Sequence, residues 1–327
     1  MAQDVVILIP VYNDWDAVGL LLAKLDASLV GEPGQFRVLL VDDGSTQAPP
    51  PNLIASHLDR INSVQVLGLT RNLGHQRAIA VGLCQIREKF ACDAVVIMDG
   101  DGEDAPADVP RLLHALAQNP KSCIFAERIR RSEGLTFQIG YGAYRYLHRL
   151  LTGIPVRVGN FSALPITQLR RLVTVSDLWN HYAASVLKAR LPVVRVPSDR
   201  AHRLAGSPHM NLVSLVVHGL SAMSVFSDRI GVRLLMATAT LGTLAGGLLA
   251  LLLMLHFFTS VAIPPWAVSA ALVLCGILPL LMLLVFVFVF VILAGRESST
   301  VLPIRDYAYF VQELRTLWTP NRKPMNT

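Results

Sequence analysis

Between Leu234 and Gly295 the chain runs for 62 residues without one Asp, Glu, Lys or Arg. Pro264-Pro265 divides this run into two segments, about 234–258 and 266–293, and each is long enough to cross a bilayer as a helix. A soluble core rarely needs so long an uncharged stretch, and LLMLLVFVFVFVIL has no polar face to turn to water. The run predicts a two-helix membrane hairpin over residues 234–294.

Charge predicts its orientation. Arg229 and Arg233 flank the first segment, Arg296 and Arg305 follow the second, and the connecting TSVAIPP is uncharged. Both ends of a multi-pass hairpin then face the cytoplasm, at the inner (cytoplasmic) membrane, with residues 295–327 returning as a short basic tail. The apolar, uncharged PHMNLVSLVVHGLSAMSVFS, within residues 204–233, reads as interfacial helices, and almost as well as an amphipathic core helix. MAQDVVILIPVYND opens straight into a strand-like run with no basic n-region, so no cleaved signal peptide is expected.

The rest of the chain has ordinary polarity, which explains why 53% hydrophobic and 16% charged residues coexist. Disorder and a disulfide scaffold are excluded: Cys84, Cys92, Cys123 and Cys275 lack CxxC spacing and read as reduced thiols. The net charge of +6 is unevenly spread. Residues 1–120 hold 8 basic and 15 acidic side chains, whereas residues 121–203 hold 14 and 4. That division suits a metal-binding half beside an anion-binding half. The basic stretch lacks the interleaved aromatics of a nucleic-acid module.

Residues 1–120 alternate strand and helix signals. VVILIPVY, FRVLLVDD, VQVLGLT and AVVIMD read as strands, and WDAVGLLLAKLDASL and HQRAIAVGLCQIREKF as helices. This βαβ repetition predicts an α/β, doubly wound, mostly parallel sheet with its site at the strand ends. Asp99, Asp101 and Glu103 alternate just after a strand, and three carboxylates on one loop repel one another unless a cation neutralises them. A hard divalent ion, Mg²⁺ or Mn²⁺, completed by nucleotide phosphates, answers that need, although a solvated acidic turn has the same sequence. Gly100, Gly102 and Ala105 also form a partial dinucleotide fingerprint, discounted because aspartates oppose a bare pyrophosphate.

The order IPVYND, VDDGS, LTRNLGH, MDGDGED resembles the family 2 glycosyltransferases, in particular their polyisoprenyl-phosphate branch, over residues 4–233. The resemblance implies a nucleotide-diphospho-sugar transferase fold of GT-A type over residues 1–203, ahead of the interfacial helices and hairpin. It implies that Pro10, Tyr12 and Asp14 line the nucleotide pocket, with Asp14 one methylene shorter than the usual Glu. Asp42 and Asp43 would accept hydrogen bonds from base or ribose, unless one of them merely closes the turn after its strand. Asp99 and Asp101 match the metal-binding DxD beside Gly100, and Glu103 stands where relatives often have Gln. Arg71 and Gly74 belong to an RNxG loop in which His75 replaces the frequent Lys.

On the acceptor side, Arg128 matches an arginine aimed at the phosphates, with Arg130 and Arg131 on the same loop. Arg203 opens RLAGSPHM, which resembles RxxGxSK with Pro208 and His209 in place of Ser and Lys. Asn160 stands where many relatives carry Asp. The implied catalytic residues are Asp101, Arg128 and Arg203, and the acceptor phosphate would meet Arg128, Arg131, Arg203 and His209. The implied partners are a UDP- or GDP-linked sugar, a polyprenyl phosphate and the membrane, and a homo-oligomer is compatible with them. A lipid monophosphate, with a second pKa of about 6, needs no general base to attack the sugar C1 and invert it. Two other readings stand beside this one: a lipid-hydroxyl acceptor, with Glu127 or Asp104 as base, and a nucleotide-binding scaffold without turnover.

Overall fold

In a computed structural model the structure describes residues 3–54, 57–128, 135–154, 158–206, 212–259, 264–297 and 301–320. In chain order these form β1 (Gln3–Val11), α1 (Trp15–Ser28), β2 (Gly34–Asp42), β3 (Ile61–Leu69), α2 (His75–Lys89), β4 (Ala94–Ile97), α3 (Val109–Gln118), β5 (Cys123–Arg128) and α4 (Leu135–Thr152). There follow β6 (Ser162–Pro165), α5 (Ile166–Leu172), α6 (Tyr182–Lys188), β7 (Val193–Ser198), α7 (Leu212–Ser224), α8 (Ser227–Phe258), α9 (Pro265–Glu297), α10 (Pro303–Asp306) and β8 (Val311–Trp318). The chain divides into two compact units. Met1–Gly140, Val156–Val225 and Val301–Thr327 make the first, and Tyr141–Pro155 with Phe226–Thr300 the second.

The first unit is built on an eight-stranded sheet of order β7-β5-β6-β4-β1-β2-β3-β8. Its centre is parallel, β4-β1-β2-β3, whereas β6 and β8 run antiparallel to their neighbours. Successive side chains of a strand point to opposite faces, and β1 uses both. Val5, Ile7 and Ile9 pack with Leu21, Leu22 and Leu25 of α1 and Leu112 and Leu116 of α3. Val6 and Leu8 pack with Ile79, Leu83 and Ile86 of α2 and Tyr182 and Val186 of α6. Two dry cores on one sheet make the doubly wound arrangement expected from the βαβ pattern.

That order contains a reversal. From β1 the chain adds β2 and then β3 on one side and returns to place β4 on the other, so a crevice opens at the carboxyl ends of β1 and β4.

Residues 301–320 differ from the expected tail. β8 pairs antiparallel with β3, Leu67 opposite Leu314 and Gly68 opposite Glu313, and completes one edge of the sheet. Its solvent-facing Gln312, Glu313 and Arg315 give VQELRTLW the polarity of a tail.

In the second unit α8 and α9 are each long and apolar enough to cross a membrane. The first helix starts at Ser227, so residues 227–233 belong to it rather than to a separate interfacial element. A Cβ on Gly231 would lie 2.9 Å from Val289 Cγ2, which lets α8 and α9 approach closely there. Their outer faces are exposed, with Phe258 at 83% and Leu280 at 67%, unlike a soluble core helix.

Candidate active site

The crevice collects the polar residues that follow β1, β2 and β4. Asp42 Oδ1 accepts the Ser45 N–H at 2.9 Å, the local turn that an aspartate after a strand favours. Asp43 is buried, and its two oxygens accept the N–H groups of Leu73 at 2.7 Å and Gly74 at 2.9 Å. It therefore positions the Arg71–Gly74 loop. Burial pushes the Asp43 pKa up, against the two backbone hydrogen bonds and His75, which pull it down.

Two glycines shape that loop. Gly44 has φ +68°, and a Cβ there would lie 2.6 Å from the Asn72 amide nitrogen, so the two loops touch through backbone. Gly74 has φ +91°, and a Cβ there would meet nothing within 4 Å, which leaves room beside the start of α2. Arg71 is exposed, its guanidinium 3.3 Å from the Asn72 carbonyl.

The acidic loop is held from inside. Asp104 is buried and accepts the Asp99 N–H at 3.0 Å, while Asp101 Oδ1 accepts the Glu103 N–H at 2.9 Å. Burial raises the Asp101 pKa, the Glu103 N–H lowers it, the charges of Asp99 and Glu103 raise it, and Arg203 lowers it again, for a net rise.

A segment from the far end of the unit straps across this loop. Ala201 N–H donates to the Glu103 carbonyl at 3.0 Å and Leu204 N–H to the Asp101 carbonyl at 2.9 Å. Arg200 Nε donates to Glu103 Oε2 at 2.9 Å. Arg203 donates to Asp101 Oδ2 at 3.1 Å and also to Asp14 Oδ2, and its Nε donates to the Ala205 carbonyl. Gly102, at φ +82°, has no room for a Cβ against Leu204.

The three expected metal ligands are not gathered: among the described residues no three acidic, His or Cys side chains are grouped to hold an ion. Glu103 is turned to Arg200. Asp99 and Asp101 remain as an all-oxygen pair, the donor chemistry a hard divalent ion takes.

His75 Nε2 is 3.1 Å from Asp99 Oδ1 and 3.1 Å from Asn160 Nδ2. Burial works against its charge, but the charge of Asp99, its hydrogen bond, and the charges of Asp104 and Asp43 together raise its pKa. Gln76, buried, donates to Asn160 Oδ1 at 3.2 Å and accepts the Tyr182 N–H at 2.8 Å. Neither Gln76 nor Arg200 carried a sequence signal, because their partners lie 84 to 106 residues away.

Pro10 is buried at the end of β1, its carbonyl 3.1 Å from where a Gly100 Cβ would sit, and Tyr12 is exposed beside it. Arg128 ends β5, its side chain outside the described residues, as are Arg130, Arg131, Pro208 and His209.

Residues 6–171 match the model of the family described as Glycosyl transferase family 2. The dodecaprenyl-phosphate galacturonate synthase of Rhizobium johnstonii is 25% identical over 222 residues, 66% of this chain and 62% of that one. The undecaprenyl-phosphate 4-deoxy-4-formamido-L-arabinose transferase of Yersinia pestis is 29% identical over 133 residues, 41% of this chain and 39% of that one. The enzyme so named from Photorhabdus laumondii is 25% identical over 285 residues, 84% and 83%. The chain thus matches less than two thirds of the length of the first two relatives. Glucosyl-3-phosphoglycerate synthase from Mycobacterium tuberculosis, solved with Mn²⁺, UDP-glucose and phosphoglyceric acid, shares the fold. It has a TM-score of 0.50 and 18% identity, over 70% of this chain and 80% of that one. The matched span is half of the chain, and the protein belongs to glycosyl transferase family 2.

Proposed function

We propose that this chain transfers a sugar from a nucleotide-diphosphate donor to a polyprenyl phosphate at the cytoplasmic face of the membrane. The observation that carries the reading is the crevice at the sheet reversal. There the backbone-anchored loops after β1, β2 and β4 present Asp14, Asp99 and Asp101, and Arg203 is the cation placed among them. The lipid phosphates in the relatives' names support the choice of acceptor.

Asp99 and Asp101 would hold Mg²⁺ or Mn²⁺, which when bound takes up charge on the departing nucleoside diphosphate. The open space at Gly74 and the exposed Tyr12 suit the nucleotide. Arg203 keeps the two loops together while no donor is present. Once Asp101 is engaged elsewhere, the guanidinium is released to screen the acceptor phosphate against the donor. A dianionic phosphate is already a nucleophile, so in-line attack inverts C1 without a base. A lipid hydroxyl would need one; Asp104 is buried, and its Oδ2 accepts the Asp99 N–H.

Two spans with arginines at both outer ends support a hairpin whose ends share one side. The pairing of β8 with β3 supports the same reading, because the chain leaves the first unit before α8 and rejoins its sheet after α9.

The test is incubation of purified protein with Mg²⁺ or Mn²⁺, polyprenyl phosphate and a mixed pool of UDP- and GDP-sugars, with mass spectrometry of the lipids. A glycosyl phosphopolyprenol is expected. Labelling of lipid hydroxyls alone, or metal-dependent nucleotide binding with no product, overturns the proposal.

A further inference from the structure

The parallel ladder between β1 and β2 ends at the Asp43 N–H, which donates to the Val11 carbonyl at 2.9 Å. Beyond that rung the two chains leave the sheet as loops, and Asn13 carries the join further. Its Oδ1 accepts the Thr46 N–H at 2.9 Å, the Thr46 hydroxyl at 3.1 Å and the Gln47 N–H at 3.3 Å, and its own N–H donates to Ser45 Oγ at 2.9 Å. A backbone N–H can only donate, so the amide oxygen must face segment 45–47, and that fixes how the side chain is turned. Trp15, buried, adds its indole N–H to the Gln47 carbonyl at 2.8 Å.

The backbone of Asn13 is as unusual as its side chain. Its φ is +52°, a left-handed value that among the described non-glycine residues only Arg190 shares. Asparagine is one of the few side chains that tolerate it. The turn separates two residues of the crevice. Tyr12, before it, is 43% exposed. Asp14, after it, stands at the start of α1, yet its carboxylate caps no N–H of that helix and accepts from Arg203 instead.

We infer that Asn13 is a positioning residue of the donor pocket: it locks segment 45–47 to the Tyr12–Asp14 turn, so that the walls meeting the nucleoside are assembled before the donor arrives. The inference rests on the donor reading above and deepens it, because it gives a share of the donor affinity to a residue that need not touch the donor. A wall built in advance lowers the ordering cost of binding and leaves the chemical step alone. Its loss therefore falls on donor KM and spares kcat.

The experiment compares the full chain with three variants. Asn13→Asp keeps an oxygen for the same donors and tolerates the left-handed turn, Asn13→Gly keeps the turn and loses the oxygen, and Asn13→Ala loses both. Hydrogen exchange, read by mass spectrometry on a peptide containing residues 45–47, reports the Thr46 and Gln47 amides directly. Titration calorimetry with UDP and with GDP in the presence of Mg²⁺ reports the pocket, and steady-state transfer separates donor KM from kcat.

Asn13→Gly should exchange those amides about tenfold faster. It should weaken whichever nucleoside diphosphate the wild type binds by about tenfold and raise donor KM in proportion, with kcat within about threefold. Asn13→Asp should stay within about threefold of the wild type on every measure, and Asn13→Ala should bind no better than Asn13→Gly. Wild-type affinity in Asn13→Gly, or an Asn13→Asp as weak as Asn13→Gly, overturns the inference and leaves the donor reading standing. So does an affinity loss that follows Tm across the variants instead of amide exchange, the mark of a merely structural role. A wild type that binds neither UDP nor GDP overturns the donor reading, and the inference with it.

Discussion

Arg203 and Asp101, 102 residues apart in the chain, meet in a hydrogen bond of 3.1 Å between Nη1 and Oδ2. The same guanidinium donates to Asp14, so one cation serves the loops after both β1 and β4. A planar fork can hold two carboxylates at once, which a single ammonium cannot do equally well.

Arg203→Ala should therefore leave Asp101 open to a metal ion while removing the screen for the acceptor. Mn²⁺ binding in the absence of nucleotide, followed by electron paramagnetic resonance, should tighten several-fold. Sugar transfer should fall by about 10²–10³, the scale of losing one charge-stabilising donor. Arg203→Lys should lie between the two proteins. An unchanged or weaker Mn²⁺ affinity in Arg203→Ala would show that the guanidinium does not compete for Asp101.

Asp43 has a raised pKa although two N–H groups point at it, because burial outweighs them. Its protonated form is the one that folding favours, so its stabilising contribution is full below the ordinary value of 3.8 and fades as pH rises through the raised value. Asp43→Asn does not titrate and can accept only one of the two N–H groups comfortably, a loss of about 1–3 kcal/mol. The stability advantage of the wild type over Asp43→Asn should be largest in acid and shrink across that window. Calorimetry from about pH 3 to about pH 7 measures the difference, and an advantage that widens with pH contradicts the account.

At Gly44 an added methyl meets the backbone of Asn72 and Arg71 at 2.6 and 2.7 Å, and φ is +68°. Backbone has no rotamer with which to yield, so Gly44→Ala should cost more than the roughly 1–2 kcal/mol of the left-handed conformation alone. The Arg71–Gly74 loop should be displaced with it. Calorimetric titration should show nucleotide binding weakened at least tenfold, and wild-type affinity in this variant would refute the backbone contact.

β8 covers the edge of β3 although it is remote in sequence from every other strand. Ending the chain at residue 300 should strip β3 of that ladder and bare its apolar residues, giving a large loss of Tm or aggregation in detergent. A truncated protein that melts like the full chain would make β8 dispensable.

The hairpin, the βαβ order and the acidic loop could be read in one dimension, since each depends only on residue types at short spacings. An uncharged run of 62 residues, VVILIPVY ending in Tyr12-Asn13-Asp14, and carboxylates at 99, 101 and 103 need no partner to be recognised. The tertiary structure decided which of those groups are already engaged. It gave Asp43 to the Leu73 and Gly74 amides, Glu103 to Arg200, and Asp14 with Asp101 to Arg203. It also made a sheet edge of a polar C-terminal segment. Those pairings follow from the strand order, which places segments up to 251 residues apart within hydrogen-bonding distance, as Gln65 and Thr316 are, and local spacing does not encode that order.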